Sequence, residues 1–172
     1  MIEILRNRRS TRKFTSEKIS DEQLNVLKEA LLLAPTSRNF EPCEFIIVRD
    51  KEMLKKLSVL KPHGATFLAE CDTAFVICGD TDKSDVCVED TSIASIILQL
   101  TAESLGLGSC WAQVRMRNHN EEMQSDEYIK QTLNLPANLM VTSVIGIGYA
   151  ETKLSPKDFD SLKHEKIHIE RY

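Results

Sequence analysis

A three-layer α+β sandwich, with a mixed sheet covered by helices on both faces, is the fold class this sequence predicts. Three observations predict it. Short apolar runs rich in β-branched residues alternate with longer segments of helical periodicity. The run Ala74-Phe75-Val76-Ile77-Cys78 is continuous, so that strand is apolar on both faces and needs a helical layer on each side. The chain has 172 residues, 42% hydrophobic and 28% charged, which suits one domain spanning 1–172 around a real core.

The elements follow in order. Met1 to Asn7 is a short amphipathic stretch. Ser20-Asp21-Glu22-Gln23 has the capping-box pattern, Leu24, Leu27, Leu31 and Ala34 recur at helical spacing, and Pro35 stops the helix. Phe45 to Val48 reads as a buried strand. Asp50 caps a helix carrying Met53, Leu54, Leu57 and Leu60, which Lys61-Pro62-His63-Gly64 breaks. Ala74 to Cys78 is the second strand. Val88 to Leu105 is the longest helix, with Ile93, Ile96, Ile97, Leu100 and Ser104 on one face. Its small residues Ala94, Ser95 and Ala102 permit close packing, at the centre of the molecule or in a subunit interface. Ser109 to Val114 and Met140 to Ile147 are the remaining strands, with a charged helix from Asp126 to Leu133 between them. The tail from Leu154 to Tyr172 is polar and expected to wrap over the surface or a partner.

Composition excludes several classes. The net charge of -4 and a pI near 5.6 argue against a dedicated nucleic-acid binder. No apolar run is long enough to span a membrane, and the start lacks the order of a signal peptide, so a cytoplasmic protein is expected. The five cysteines show no Cys-x-x-Cys pair and read as buried small hydrophobes. The four histidines have no metal-ligand spacing, and no metal is assigned.

Four clusters carry candidate chemistry. Arg8-Arg9-Ser10-Thr11-Arg12-Lys13 concentrates positive charge in an acidic chain. Guanidinium forks with a hydroxyl between them suit an anion, above all a phosphate; the alternatives are a solvated basic face or a nucleic-acid contact. Pro35-Thr36-Ser37-Arg38-Asn39 is a rigid loop rich in hydrogen-bonding groups, or an ordinary turn. Gly106-Leu107-Gly108 permits close backbone approach before a strand holding the sole tryptophan, in Trp111-Ala112-Gln113. Gly146-Ile147-Gly148 lacks the third glycine and the following helix of a dinucleotide fingerprint.

Taken together and in this order, the clusters resemble the nitroreductase family, the FMN-dependent oxidoreductases, over nearly the whole chain. The matching motifs are Arg-Arg-Ser-Thr-Arg-Lys-Phe, Ala-Pro-Thr-Ser-Arg-Asn-x-x-Pro, Gly-Leu-Gly-Ser-Cys-Trp and Gly-Ile-Gly-Tyr, with the ending from Glu165 to Tyr172. The resemblance implies FMN as cofactor, NADH or NADPH as electron donor, and a homodimer with FMN sites at the subunit interface. It implies that Arg8, Ser10 and Arg12 contact the phosphate and ribityl chain, with Arg9 contributing. It implies that Pro35, Thr36, Ser37 and Asn39 meet the ring from the other subunit, and that the backbone of Trp111, Ala112 and Gln113 lies near its N5 edge. Gly146 and Gly148 are expected near the phosphate end. No protein side chain is expected to be catalytic, because the flavin carries the chemistry.

The implied reaction passes a hydride from NAD(P)H through flavin N5 to an acceptor such as a nitroaromatic or quinone, with ping-pong kinetics. The alternative is a flavin store or sensor without turnover. A changed flavin reaction, such as reductive dehalogenation, and a nucleic-acid module rank lower. The chain departs from the family at Glu41 and Cys43, where Gln and Trp are common, and at Ala150 after Gly148-Tyr149. Lys153, Lys157 and Lys166 are candidates for completing the phosphate site.

Overall fold

The predicted order of elements is found in a computed structural model that describes residues 1–172. The helices are α1 (Ile2–Asn7), α2 (Asp21–Leu32), α3 (Lys51–Ser58), α4 (Cys87–Ser104) and α5 (Ser125–Leu133). The strands are β1 (Cys43–Val48), β2 (Thr73–Asp80), β3 (Gly108–Gln113) and β4 (Leu139–Gly148). Local chemistry starts the helices where expected. The Ser20 hydroxyl accepts from Gln23 N–H while the Gln23 side chain accepts from Ser20 N–H, completing the capping box of α2. Asp50 accepts from Met53 N–H at 2.8 Å and caps α3.

The sheet order is β1-β2-β4-β3. All of its pairings are antiparallel, which corrects the expectation of a mixed sheet. The crossover through α4 does make β2 and β3 run the same way. The last strand, β4, inserts between them and runs against both. The parallel pairing that exists is an isolated bridge between Ser10 and Ser109.

The three layers are as predicted. On one face α2 and α4 bury Leu24, Leu27, Leu31 and Leu98 against Phe75, Ile77, Ile145 and Ile147. On the other, Leu54 and Leu57 of α3, Phe67 and Leu68 of the turn Thr66–Ala69, and Ile129 of α5 cover Val76, Cys78 and Val144. Burying each such side chain contributes about 1.5–3 kcal/mol. A bulge at Thr142 shifts the β2–β4 register, so Val141 and Val144 both reach the α3 and α5 face.

Helix α4 turns its small and polar residues inward. Thr91, Ala94, Ser95, Gln99 and Ala102 are buried on the sheet, and the Ser95 hydroxyl meets that of Ser143 at 3.1 Å. The apolar face looks outward, leaving Ile93 and Ile96 each 39% exposed. Residues 151–172 are exposed throughout, including Phe159, Leu162, Ile167 and Ile169. No helix is long and apolar enough to cross a membrane.

A buried carboxylate fastens the loop before α2 to the end of the sheet. Asp72 is 3% exposed and accepts from Ile19 N–H, the Thr73 hydroxyl and Arg49. Lys18 stands 3.0 Å from its Oδ1 in an ion pair without hydrogen-bond alignment. Burial alone would raise the Asp72 pKa, but Lys18, Thr73 and the Ile19 amide outweigh it and hold the pKa below the ordinary value. This stabilisation is present above the unfolded carboxylate pKa of about 3.9 and is lost as pH falls through the lower folded value. Urea unfolding followed from pH 6 to pH 2 should show that loss. Asp72→Asn should cost about 1–3 kcal/mol at pH 6 and flatten the acid limb; an unchanged limb would assign the loss to other carboxylates.

Candidate functional site

The site is built on the first residue of an edge strand. After α1 the chain becomes extended at Arg8, and Ser10 bridges Ser109 in parallel. Thr11 N–H donates to the Ser109 carbonyl at 2.9 Å, and Thr15 N–H donates to the Tyr149 carbonyl at 2.8 Å. Gly108 is what allows this approach. A Cβ there would lie 2.5 Å from Thr11 Oγ1 and 2.8 Å from Thr11 Cβ. The buried Phe14 packs on Gly148 in the same manner, where a Cβ would meet its ring at 3.0 Å.

Between this segment, the C-terminal end of α4 and the start of the tail lies a cleft of about 510 Å³. Arg9, Ser10, Arg12 and Lys13 line it from the basic block, and Lys153 lines it from the tail. Glu103 is its one acid. No ion pair neutralises Arg12, Lys13 or Lys153, so the cleft is a cationic concavity with a hydroxyl in it. That donor set suits an anion.

Arg9 has further tasks. Its guanidinium donates to the carbonyls of Arg6 and Arg8, each at 2.8 Å, and to that of Ser155 at 2.9 Å. Lys157 N–H donates to the Arg6 carbonyl at 3.0 Å. Together they hold residues 152–156 as one wall of the cleft. Arg8 is half-buried and does not line it. Gly146 and Gly148 do not line it either; both are buried, Gly146 under Phe67 and Leu68 and Gly148 under Phe14. Bulky neighbours occupy the space above each glycine.

The loop Pro35–Asn39 is rigidly prepared but distant. Arg38, Asn39 and Glu41 all have positive φ, at 52°, 55° and 49°, a costly conformation for side-chain-bearing residues. Surrounding contacts hold it. Ser37 N–H donates at 2.8 Å to Asp90, a buried carboxylate in the first turn of α4, and Glu41 N–H donates to the Thr36 hydroxyl at 3.0 Å. Arg38 pairs with Asp85 and lies 4.5 Å above the Phe40 ring. Asp90 and Glu103 are thirteen residues apart on one helix, so loop and cleft are separated by about 20 Å.

At the far end of β3, Ala112 is core, whereas Trp111 and Gln113 are half-buried. Trp111 Nε1 donates to the Gln113 side chain at 2.9 Å. Lys61 Nζ donates to the Gln113 carbonyl at 3.1 Å, bringing a cation that sequence reasoning took only as part of a helix break. Burial, and then the charge of Arg117, lower the Lys61 pKa. Cys110 faces the core between these features, and burial raises its thiol pKa while Arg12 and Lys61 oppose the rise. Cys43 is pushed up to about 12 by burial and by Asp90, so it stays a thiol at neutral pH.

Comparison with known proteins decides the family. The nitroreductase family profile matches residues 5–71 and 59–149. The chain belongs to the nitroreductase family. This nitroreductase family member is 35% identical to a protein from Archaeoglobus fulgidus named as an NADH dehydrogenase/NAD(P)H nitroreductase, over 99% of this chain and 98% of that one. It is 25% identical to an FMN reductase [NAD(P)H] of Bacillus subtilis, over 98% of this chain and 74% of that one. A solved FMN-dependent nitroreductase from Clostridium difficile R20291 superposes with a TM-score of 0.98, at 39% identity and full coverage of both chains.

The contact at Gly108 can be tested by thermal unfolding. Gly108→Ala should destabilise the protein by about 1–3 kcal/mol, because Thr11 must move off the strand. Adding Thr11→Gly, which removes the opposing Cβ, should restore part of the loss; no restoration would mean the glycine matters for backbone freedom instead.

Proposed function

We propose that this nitroreductase family member is an FMN-dependent NAD(P)H oxidoreductase acting as a homodimer. The observation that carries the reading is the cleft at the start of β3, with its unpaired cations and its hydroxyl. Its volume of about 510 Å³ falls in the range of small-molecule sites, roughly 300–1,000 Å³. The donor set fits a phosphate monoester joined to a polyol. Arg12, Lys13 and Lys153 would hold the phosphate end, Ser10 and Glu103 the hydroxyl-bearing chain, and Arg9 would keep the tail wall in place. Arg12 and Lys61 both bear electrostatically on Cys110 of β3, so they would favour negative charge along that edge. The outward backbone of Trp111 and Gln113 would orient the ring there.

Bound FMN would supply the redox chemistry that links NAD(P)H to an acceptor such as a nitroaromatic or quinone, with ping-pong kinetics. The chain supplies binding, orientation and a positive field. No acid or base side chain is assigned to a proton step.

Dimerisation is supported by what one chain leaves incomplete. The loop Pro35–Asn39 lies about 20 Å from its own cleft, too far to serve the same cofactor. The apolar outer face of α4 and the exposed apolar residues of the tail are surfaces a second copy would cover. A cytoplasmic location, where reduced nicotinamide nucleotides are regenerated, belongs to the same reading.

An absorption spectrum before and after anaerobic NADH and NADPH tests the enzyme reading. Flavin bands should be present and should bleach with at least one donor; bands that persist with both would favour the flavin store. Arg12→Ala should weaken FMN retention by about 1.5–3 kcal/mol in a flavin titration, and unchanged affinity would place the cradle elsewhere. Complementation tests the shared site. If Arg12→Ala and Asn39→Ala each impair activity, their mixed dimer should regain about half the sites, because one seam then holds both native residues. Mixed dimers no better than either parent would place both residues on one subunit's site.

A further inference from the structure

The turn that follows β3 holds a second concentration of cations that the cradle does not use. Arg115 and Arg117 lie on it, and Lys61 reaches the Gln113 carbonyl beside it at 3.1 Å. None of the three takes part in an ion pair. The turn's own acids do not neutralise them: Glu121 and Glu122 are exposed, and the Asn120 side chain ties that stretch back by accepting from the Glu122 and Met123 amides. Asp126 is engaged with Lys130 and with Val141 N–H.

The backbone under the arginines is fixed. The bulge at Thr142 presents its carbonyl to both Val114 N–H and Arg115 N–H, each at 3.2 Å. Arg117 N–H donates to the Val114 carbonyl at 3.0 Å, and Ser125 N–H donates to the Arg117 carbonyl at 2.9 Å. Met116 between them has φ of 58° and is 73% exposed. The turn therefore carries two guanidinium groups on an anchored base, Arg117 exposed and Arg115 half-buried. Their guanidinium hydrogen bonds go to Met116, from Arg115 to its sulfur and from Arg117 to its carbonyl.

Strand β3 separates this cluster from the cradle. Gly108 lines the cleft and Gln113 ends the strand, five residues on, or about 17 Å in extended chain. One phosphate cannot serve both places. Resting on the proposed function, we infer that Arg115 and Arg117 form a subsite for the phosphates of the nicotinamide dinucleotide donor. The guanidinium fork matches phosphate oxygens in pairs, and the like charges here gain a counterion when the donor arrives. The subsite stands beyond the strand end assigned to the flavin's reactive edge, where a stacked dihydronicotinamide would carry its phosphates outward.

The test is the FMN-loaded double variant Arg115→Gln/Arg117→Gln, compared with wild type on two donors. For the preferred nucleotide, NADH or NADPH, kcat/KM should fall about 10-fold or more, the loss expected from one charge-assisted hydrogen bond. With 1-benzyl-1,4-dihydronicotinamide, which has the same reactive ring and no phosphate, kcat/KM should be unchanged, as should FMN retention. Equal losses on both donors, or no loss on the nucleotide, would overturn the subsite. Calorimetric titration of the holoprotein with ADP reads the site without turnover. Weaker ADP binding in the variant supports the subsite even if neither nucleotide bleaches the wild-type flavin, an outcome that would sink the oxidoreductase reading alone. ADP binding equal in both proteins would remove the subsite.

Discussion

The docking of residues 8–14 along the outer edge of β3 is the contact on which the functional half of the molecule depends. It is a close backbone approach, fixed by the Ser10–Ser109 bridge and the Thr11 amide, and possible because Gly108 has no side chain to meet Thr11. Phe14 continues the contact on Gly148 and seals the end of the core. The cleft exists because this segment stands at the strand edge. The tail becomes the opposite wall because Arg9, in the same segment, holds the Ser155 carbonyl. Two small residues and one arginine thus link strand, basic block and tail into one site.

Helix α4 sets the scale of everything else. Its N-terminal end binds the strained loop through Asp90, and its C-terminal end borders the cleft through Glu103. Small and hydroxyl-bearing residues press it onto the sheet, where hydroxyls such as those of Thr91 and Ser95 are satisfied by the helix's own carbonyls. The apolar residues left outside give the helix a second surface. A rigid rod with the strained loop at one end, the cleft at the other and an apolar outer face is the physical basis for the proposal that a dimer is the working unit.

Electrostatics divides the strand edge into zones. Cations gather at the beginning of β3, in the cleft, and again at its end, around Lys61, Arg115 and Arg117. The middle carries half-buried Trp111 and buried Cys110. An extended ligand lying along that edge would meet charge at its ends and apolar or backbone groups between. The acidic net charge of the chain makes these local concentrations stand out against the rest of the surface.

Secondary structure, layer count and family were legible in the sequence, because periodicity, capping residues and motif order are local properties. The capping box at Ser20, the buried run Ala74–Cys78 and the basic block each needed only neighbouring residues to be read. Strand order was not legible: β4 lies between β2 and β3 because of long-range pairing, and that made the sheet antiparallel. That Gly146 seats Phe67 and Leu68, and Gly148 seats Phe14, was not legible either, since only tertiary packing says what fills the space above a glycine. Lys61 is remote in sequence from the group it joins and nothing local marked its place, whereas Lys153 was one of three lysines the sequence offered, and only the fold puts it on the cleft. By itself the sequence determined which segments fold and which chemistry they carry. The tertiary structure decided which charges share a cleft, because that depends on contacts between residues far apart along the chain.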